Sequence, residues 1–230
     1  MLKKIGPFNC EVMNDVRNTF DGNIIINDGN LYSISIDLKF SNEQNCMKVD
    51  DTKITKVINN YYIDEEGNAY IINDSGLKKA NADGKIPQYM MEDDVLMAHS
   101  YGQADLYTYY VLKTDGKIYD VTFERDFHFA NGVGTYRYTV KEEKVYKEFE
   151  DEKIKSFDIV SGNLDYVITD KGLYVSKVTN MECHEYADID CVYDLVSNTT
   201  LTSMENISFI NHYDNTIKFV KDGNSYNFGV

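Results

Sequence analysis

What this chain lacks narrows it first. It has no tryptophan, two prolines and four cysteines in 230 residues. No stretch of 18 apolar residues occurs, so the sequence offers no membrane-spanning helix. Low-complexity segments and interdomain linkers are missing, which points to a single domain over residues 1–230. Basic residues are in short supply: 23 Lys and Arg stand against 38 Asp and Glu, a net charge of −15. A surface of that sign repels the phosphate backbone, so no nucleic acid is expected as a partner; anionic membranes are disfavoured on the same ground. The run Met1-Leu2-Lys3-Lys4 leads into no apolar segment, because Asn9 and Glu11 interrupt it. The expectation is a protein without a leader, cytoplasmic, with reduced thiols.

Signatures of catalysis and metal binding are also missing from the sequence. His99, His128, His184 and His212 stand in four separate contexts, with no H-x-H and no HExxH. Cys10, Cys46, Cys183 and Cys191 form no C-x-x-C. Cys183-His184-Glu185 with Cys191 gathers good ligands, but a seven-residue gap does not match a zinc site. Asp188, Asp190 and Asp194 resemble part of a calcium loop that lacks its Gly and closing Glu. Gly132-Val133-Gly134 precedes no helix that would present amides to a phosphate; it reads as a hairpin turn before residues 135–140. Neither a cofactor nor a metal is expected.

What the sequence does contain is repetition. Asp28-Gly29-Asn30-Leu31-Tyr32 recurs as Glu66-Gly67-Asn68-Ala69-Tyr70 and Asp115-Gly116-Lys117-Ile118-Tyr119. A shortened copy, Lys171-Gly172-Leu173-Tyr174, and a last one, Asp222-Gly223-Asn224-Ser225-Tyr226, follow. The glycines are 38, 49, 56 and 51 residues apart, close to the roughly 40–50 residues of a four-stranded propeller blade. Asp-Gly suits a tight turn that needs positive φ. Four residues before each glycine sits Ile25, Ile63, Leu112, Ile168 or Phe219. Six before it, four copies carry Tyr61, Tyr110, Tyr166 or Ile217. This alternation predicts a half-buried strand entering each turn, with the tyrosine after the glycine on the strand that leaves. Upstream apolar runs at 16–20, 54–58, 95–98, 154–157 and 207–210 predict one further strand per unit. Residues 76–94 read as an irregular surface loop, and 142–152 as either a weak helix or an exposed strand and loop.

The five phrases resemble a degenerate RCC1-type β-propeller repeat, in which a strand, an Asp-Gly turn and an aromatic-bearing strand recur. Residues 220–229 are the best copy. Most copies lack the Gly-rich stretch that follows the aromatic strand in that family. The resemblance implies an all-β fold, a small propeller of about five blades. The last strand would be completed by amino-terminal residues, within 5–16. The family's chromatin and GTPase activities do not transfer with the fold.

Nineteen tyrosines are the notable excess. Tyr101, Tyr107, Tyr136 and Tyr138 lie near the acidic runs Glu92-Asp93-Asp94 and Glu142-Glu143. Tyrosine gives contact area at low entropic cost, so these nine residues are the candidate protein-binding set. The favoured reading is a monomeric, non-enzymatic protein-binding propeller with a basic partner. Its specific form is a bacterial immunity or inhibitor protein that neutralises a toxin. The alternatives are a lectin-like propeller with one Tyr-lined site per blade, and a glycosidase with paired carboxylates in a central funnel.

Overall fold

A computed structural model describes residues 2–7, 16–19, 23–34, 46–101, 106–160, 163–171, 173–175, 182–183, 191–192, 207–213, 216–221 and 224–229. Gly172, Gly223, Cys10, Phe20, His184, Glu185, Asp188, Asp190 and Asp194 lie outside that set.

The described residues are all-β. After β1 (Leu2–Pro7) come β2 (Val16–Asn18), β3 (Ile24–Asn27), β4 (Asn30–Ile34) and β5 (Cys46–Lys48). Next are β6 (Ile54–Ile58), β7 (Tyr61–Asp64), β8 (Ala69–Asn73) and β9 (Gly76–Lys79). A third set is β10 (Val95–Ser100), β11 (Leu106–Lys113), β12 (Ile118–Ala130) and β13 (Val133–Val145). Then follow β14 (Ile154–Val160), β15 (Asn163–Thr169) and β16 (Leu173–Val175). Two short strands, β17 (Glu182–Cys183) and β18 (Cys191–Val192), pair with each other. The chain finishes with β19 (Ile207–Tyr213), β20 (Thr216–Lys221) and β21 (Asn224–Gly229). Helical structure among the described residues is limited to single 3₁₀ turns at Gln88–Met91 and Lys147–Phe149.

Each of the five phrases lies between two antiparallel strands. The pairs are β3 with β4, β7 with β8, β11 with β12, β15 with β16 and β20 with β21. Gly29, Gly67 and Gly116 adopt φ of 77°, 81° and 78°, a region closed to most residues with a Cβ. Acidic side chains secure two of these turns. Asp64 Oδ1 accepts the amides of Glu66 and Asn68, and its Oδ2 accepts the Tyr70 hydroxyl at 3.0 Å. Asp115 accepts the Lys117 amide at 2.9 Å and the Tyr119 hydroxyl at 2.7 Å. The repeated tyrosine thus fastens its own turn in these two copies. The residues four before the glycines follow the same logic: Ile25, Ile63, Leu112 and Ile168 are all buried. Each contributes about 1.5–3 kcal/mol of transfer free energy.

The chain packs as two compact units, Met1–Thr52 with Lys155–Val230, and Lys53–Ile154. In the first, β2-β3-β4-β5 forms one sheet and β14-β15-β16 another. The third sheet has the order β1-β21-β20-β19. Here β1 pairs antiparallel with β21, from Leu2↔Phe228 to Pro7↔Asn224. The amino-terminal segment therefore does complete the last hairpin, with a strand that starts earlier than residue 5. β19 also runs beside β2. Cys46, at the start of β5, is disulfide-bonded, so the expected reduced thiol is not what the fold holds there.

The second unit is an eight-stranded sheet, ordered β13-β12-β11-β10-β6-β7-β8-β9. It consists of two four-stranded meanders joined along β6 and β10, which are parallel (Met97↔Val57, Ala98↔Ile58). Its core gathers Ile58, Ile63, Val95, Tyr109, Val111, Val121 and Phe123. Residues 76–94 are not wholly a surface loop. Gly76–Lys79 is β9, and Met90 is fully buried, with Ile86 and Tyr89 packed on the same core. Residues 142–145 complete β13, so the strand alternative holds there, and a 3₁₀ turn buries Phe149.

Candidate protein-binding surface

The β12–β13 hairpin departs from the repeat. Its strands are 13 residues each, whereas β3 and β4 have 4 and 5 residues. Asn131 and Gly132, with φ of 53° and 79°, make the turn, the Asn-Gly geometry that best matches strand twist. The turn falls one residue before Gly132-Val133-Gly134, and Val133 already belongs to β13. Among the described residues, β11 pairs with β12 as far as Glu124. Beyond that point β12 and β13 continue to pair with each other as a ribbon. The register slips between Thr122 and Phe123, leaving Lys141 as a bulge residue where the ribbon departs.

Alternation sorts the ribbon into two faces. Cross-strand partners share a face, so Phe123/Val140, Arg125/Tyr138, Phe127/Tyr136 and Phe129/Gly134 stack on one side. Glu124/Thr139, Asp126/Arg137 and His128/Thr135 take the other. The first face begins in the core, at fully buried Phe123, and runs out into solvent. Phe127 is 60% exposed, Phe129 68% and Tyr136 41%. Isolated exposed apolar groups need no explanation, but a contiguous aromatic row does. Gly134 lets the Phe127 ring lie flat across the ribbon, since a Cβ there would collide with it.

Arg125 ties this row together. Its guanidinium carbon lies 4.2 Å from the Tyr107 ring centroid and 4.1 Å from that of Tyr136, within cation–π range. Tyr136 meets Phe127 edge to face at 5.2 Å, and Tyr107 meets Tyr138 at 5.5 Å. The Tyr138 hydroxyl donates to the Gly84 carbonyl at 3.2 Å. Burial raises the Tyr138 hydroxyl's pKa, against the opposing pull of Arg125.

Of the tyrosines expected on the surface, Tyr107, Tyr136 and Tyr138 come together here. Tyr101 does not. Its hydroxyl donates to Asp120 at 2.6 Å and its ring stacks on Tyr110 at 4.2 Å, which is a structural role. The acidic residues divide as well. Asp94 and Glu143 both pair with Lys113 Nζ, at 3.2 and 3.1 Å. That ammonium also sits over the Tyr89 and Tyr119 rings, and Glu143 accepts the Tyr89 hydroxyl at 2.8 Å. Burial alone would lower the Lys113 pKa, but these partners outweigh it and the net shift is upward. Glu142 pairs with Lys144, Glu92 closes the 3₁₀ turn at Gln88–Met91, and Asp93 is exposed. Asp94 and Glu143 are therefore a clamp on Lys113, and the aromatic ribbon is the outward-facing feature. Sequence reasoning missed Arg125, Phe127 and Phe129. The signal was present as an apolar or aromatic-compatible residue at every second position from 123 to 129, ahead of Asn131-Gly132.

Among the described residues no group of His, Cys, Asp and Glu is placed to hold a metal ion. No helix among them is long and apolar enough to cross a membrane. No protein-family model and no curated protein sequence matches the chain.

Proposed function

We propose that this protein is a non-enzymatic protein-binding domain that docks through the aromatic face of the β12–β13 ribbon. The exposed row Phe127, Phe129 and Tyr136 around Arg125 is the observation that carries the reading. Aromatic and Arg side chains dominate interface energetics, and a long hairpin on a rigid sheet presents them at little ordering cost. The partner is basic overall, since the net charge of −15 speeds its approach and disfavours acidic competitors. A toxin held by an immunity protein is the specific case this describes. We further propose that the five meanders are blades of one small propeller. The β1–β21 pairing and the side-by-side strands β6 with β10 and β2 with β19 support closure. The disulfide at Cys46 supports an oxidising compartment in place of the expected cytosol.

The test is co-purification with the product of the neighbouring gene. A stable complex is expected, with Phe127→Ser/Phe129→Ser weakening it at least about tenfold while the fold is kept. No complex and no protection from the neighbour's toxicity would refute the proposal.

A further inference from the structure

Resting on that protein-binding reading, we infer that Arg125 is the anchor for an acidic side chain of the partner. A guanidinium carries five N–H donors, and stacking on a ring leaves its edges free. Among the described residues no carboxylate pairs with Arg125, although Lys48, Lys113, Lys141 and Lys144 each have one. Arg137, on the opposite face, is exposed, whereas Arg125 is half-buried between two rings. Alternation explains how Arg125 is kept from a carboxylate. Glu124 and Asp126, the neighbours in sequence, lie on the opposite face. There Glu124 is paired with Lys141, and Asp126 stands across from Arg137. The aromatic face from 123 to 129 and 134 to 140 thus holds one ionised group, half-buried between rings.

A half-buried cation strengthens charge-assisted hydrogen bonds to an incoming carboxylate. Phe127 and Phe129 follow it outward on the same face, so the acidic side chain has apolar neighbours on the partner. A chain terminus is disfavoured, because its capture uses clustered amides. The amides of β12 and β13 lie in the plane of the ribbon, not out of its face. Net charge then governs approach, and Arg125 sets the register of the docked surface. A second copy of this chain is disfavoured by mutual repulsion at −15 each.

The experiment follows the Arg125 Nε–Hε resonance by NMR during titration with three acetylated peptides, two of them amidated and one with a free carboxyl terminus. Acetyl-Phe-Glu-Phe-amide is expected to shift the resonance, and acetyl-Phe-Gln-Phe-amide to bind at least about tenfold more weakly. Arg125→Gln is expected to abolish the difference between the two. Equal shifts from both peptides would overturn the inference. So would a response confined to acetyl-Phe-Gln-Phe with a free terminus, or a shift produced by raising the protein concentration alone. If Phe127→Ser/Phe129→Ser impairs partner binding while Arg125→Gln does not, the anchor is wrong and the docking face stands. If neither impairs it, the protein-binding reading fails as well.

Discussion

Two repeat glycines with the same backbone angle are expected to respond differently to the same substitution. Gly67 and Gly116 have φ of 81° and 78°, and both lie in the unit Lys53–Ile154. Placing Ala in the left-handed region costs about 1–2 kcal/mol at either position. At Gly67 nothing adds to this, because the new Cβ meets only Met91 Cε at 3.6 Å, an ordinary contact. At Gly116 the Cβ would fall 2.6 Å from Lys153 Cγ. Lys153 must rotate near its root, while the Ile154 amide stays bonded to the Gly116 carbonyl at 2.8 Å. An off-rotamer side chain adds about 0.5–1.5 kcal/mol. Gly67→Ala should therefore cost about 1–2 kcal/mol and Gly116→Ala about 1.5–3.5 kcal/mol. Urea unfolding followed by tyrosine fluorescence measures both, read as midpoint shifts at unchanged slope. Gly67→Asn should be milder than Gly67→Ala, since Asn tolerates left-handed backbone. Equal costs at the two sites, or Asn worse than Ala, would refute the reasoning.

Along β12, Phe123→Ala should cost about 3–5 kcal/mol, while Phe129→Ser should stay within about 0.5 kcal/mol, both by urea unfolding. His99 is fully buried, and desolvation lowers its pKa to about 4. Its neutral form is the folded one, so its contribution is complete above about pH 6.5 and is lost as pH falls towards 4. Stability should drop by about 2 kcal/mol from pH 7 to pH 5, and His99→Leu should flatten that slope. Burial raises the Asp64 pKa, but its hydrogen bonds from Asn68, Tyr70 and Glu66 prevail and the net shift is downward. Asp64→Asn should lessen the acid sensitivity seen below about pH 4 in equilibrium unfolding. Reduction of the Cys46 disulfide should lower stability by about 2–4 kcal/mol in unfolding with and without dithiothreitol.

The repeated part of the fold was legible because three independent signals coincide in it. The glycine demands a backbone angle, the residue four before it demands burial, and the pair demands a hairpin. In the phrases of Gly29, Gly67 and Gly116, with Ile25, Ile63 and Leu112 buried four residues before, all three are satisfied. The ribbon was harder to see because charges interrupt it. Glu124-Arg125-Asp126 looks like a solvated end to a strand. Only the register shows that Arg125 faces aromatics while its two neighbours face away. The contacts of Tyr101 were hidden for a related reason. A tyrosine at a strand end is compatible with either face, and the Asp120 carboxylate that holds it is 19 residues away in sequence. The buried turn around Met90 was hidden by its setting among Gly, Pro and acidic residues, which are ordinary loop signals.

The β1–β21 pairing has a kinetic consequence. Leu2–Pro7 is made well before its hydrogen-bonding partner Asn224–Gly229, with most of the 230 residues between them. At about 5–20 residues per second the first strand waits on the order of ten to forty seconds with its edge open. Lys53–Ile154 is continuous in the chain and is free to condense in the meantime. Slow synthesis would therefore prolong the interval in which the first strand is open to misassociation, and a chaperone that shields strand edges would act there.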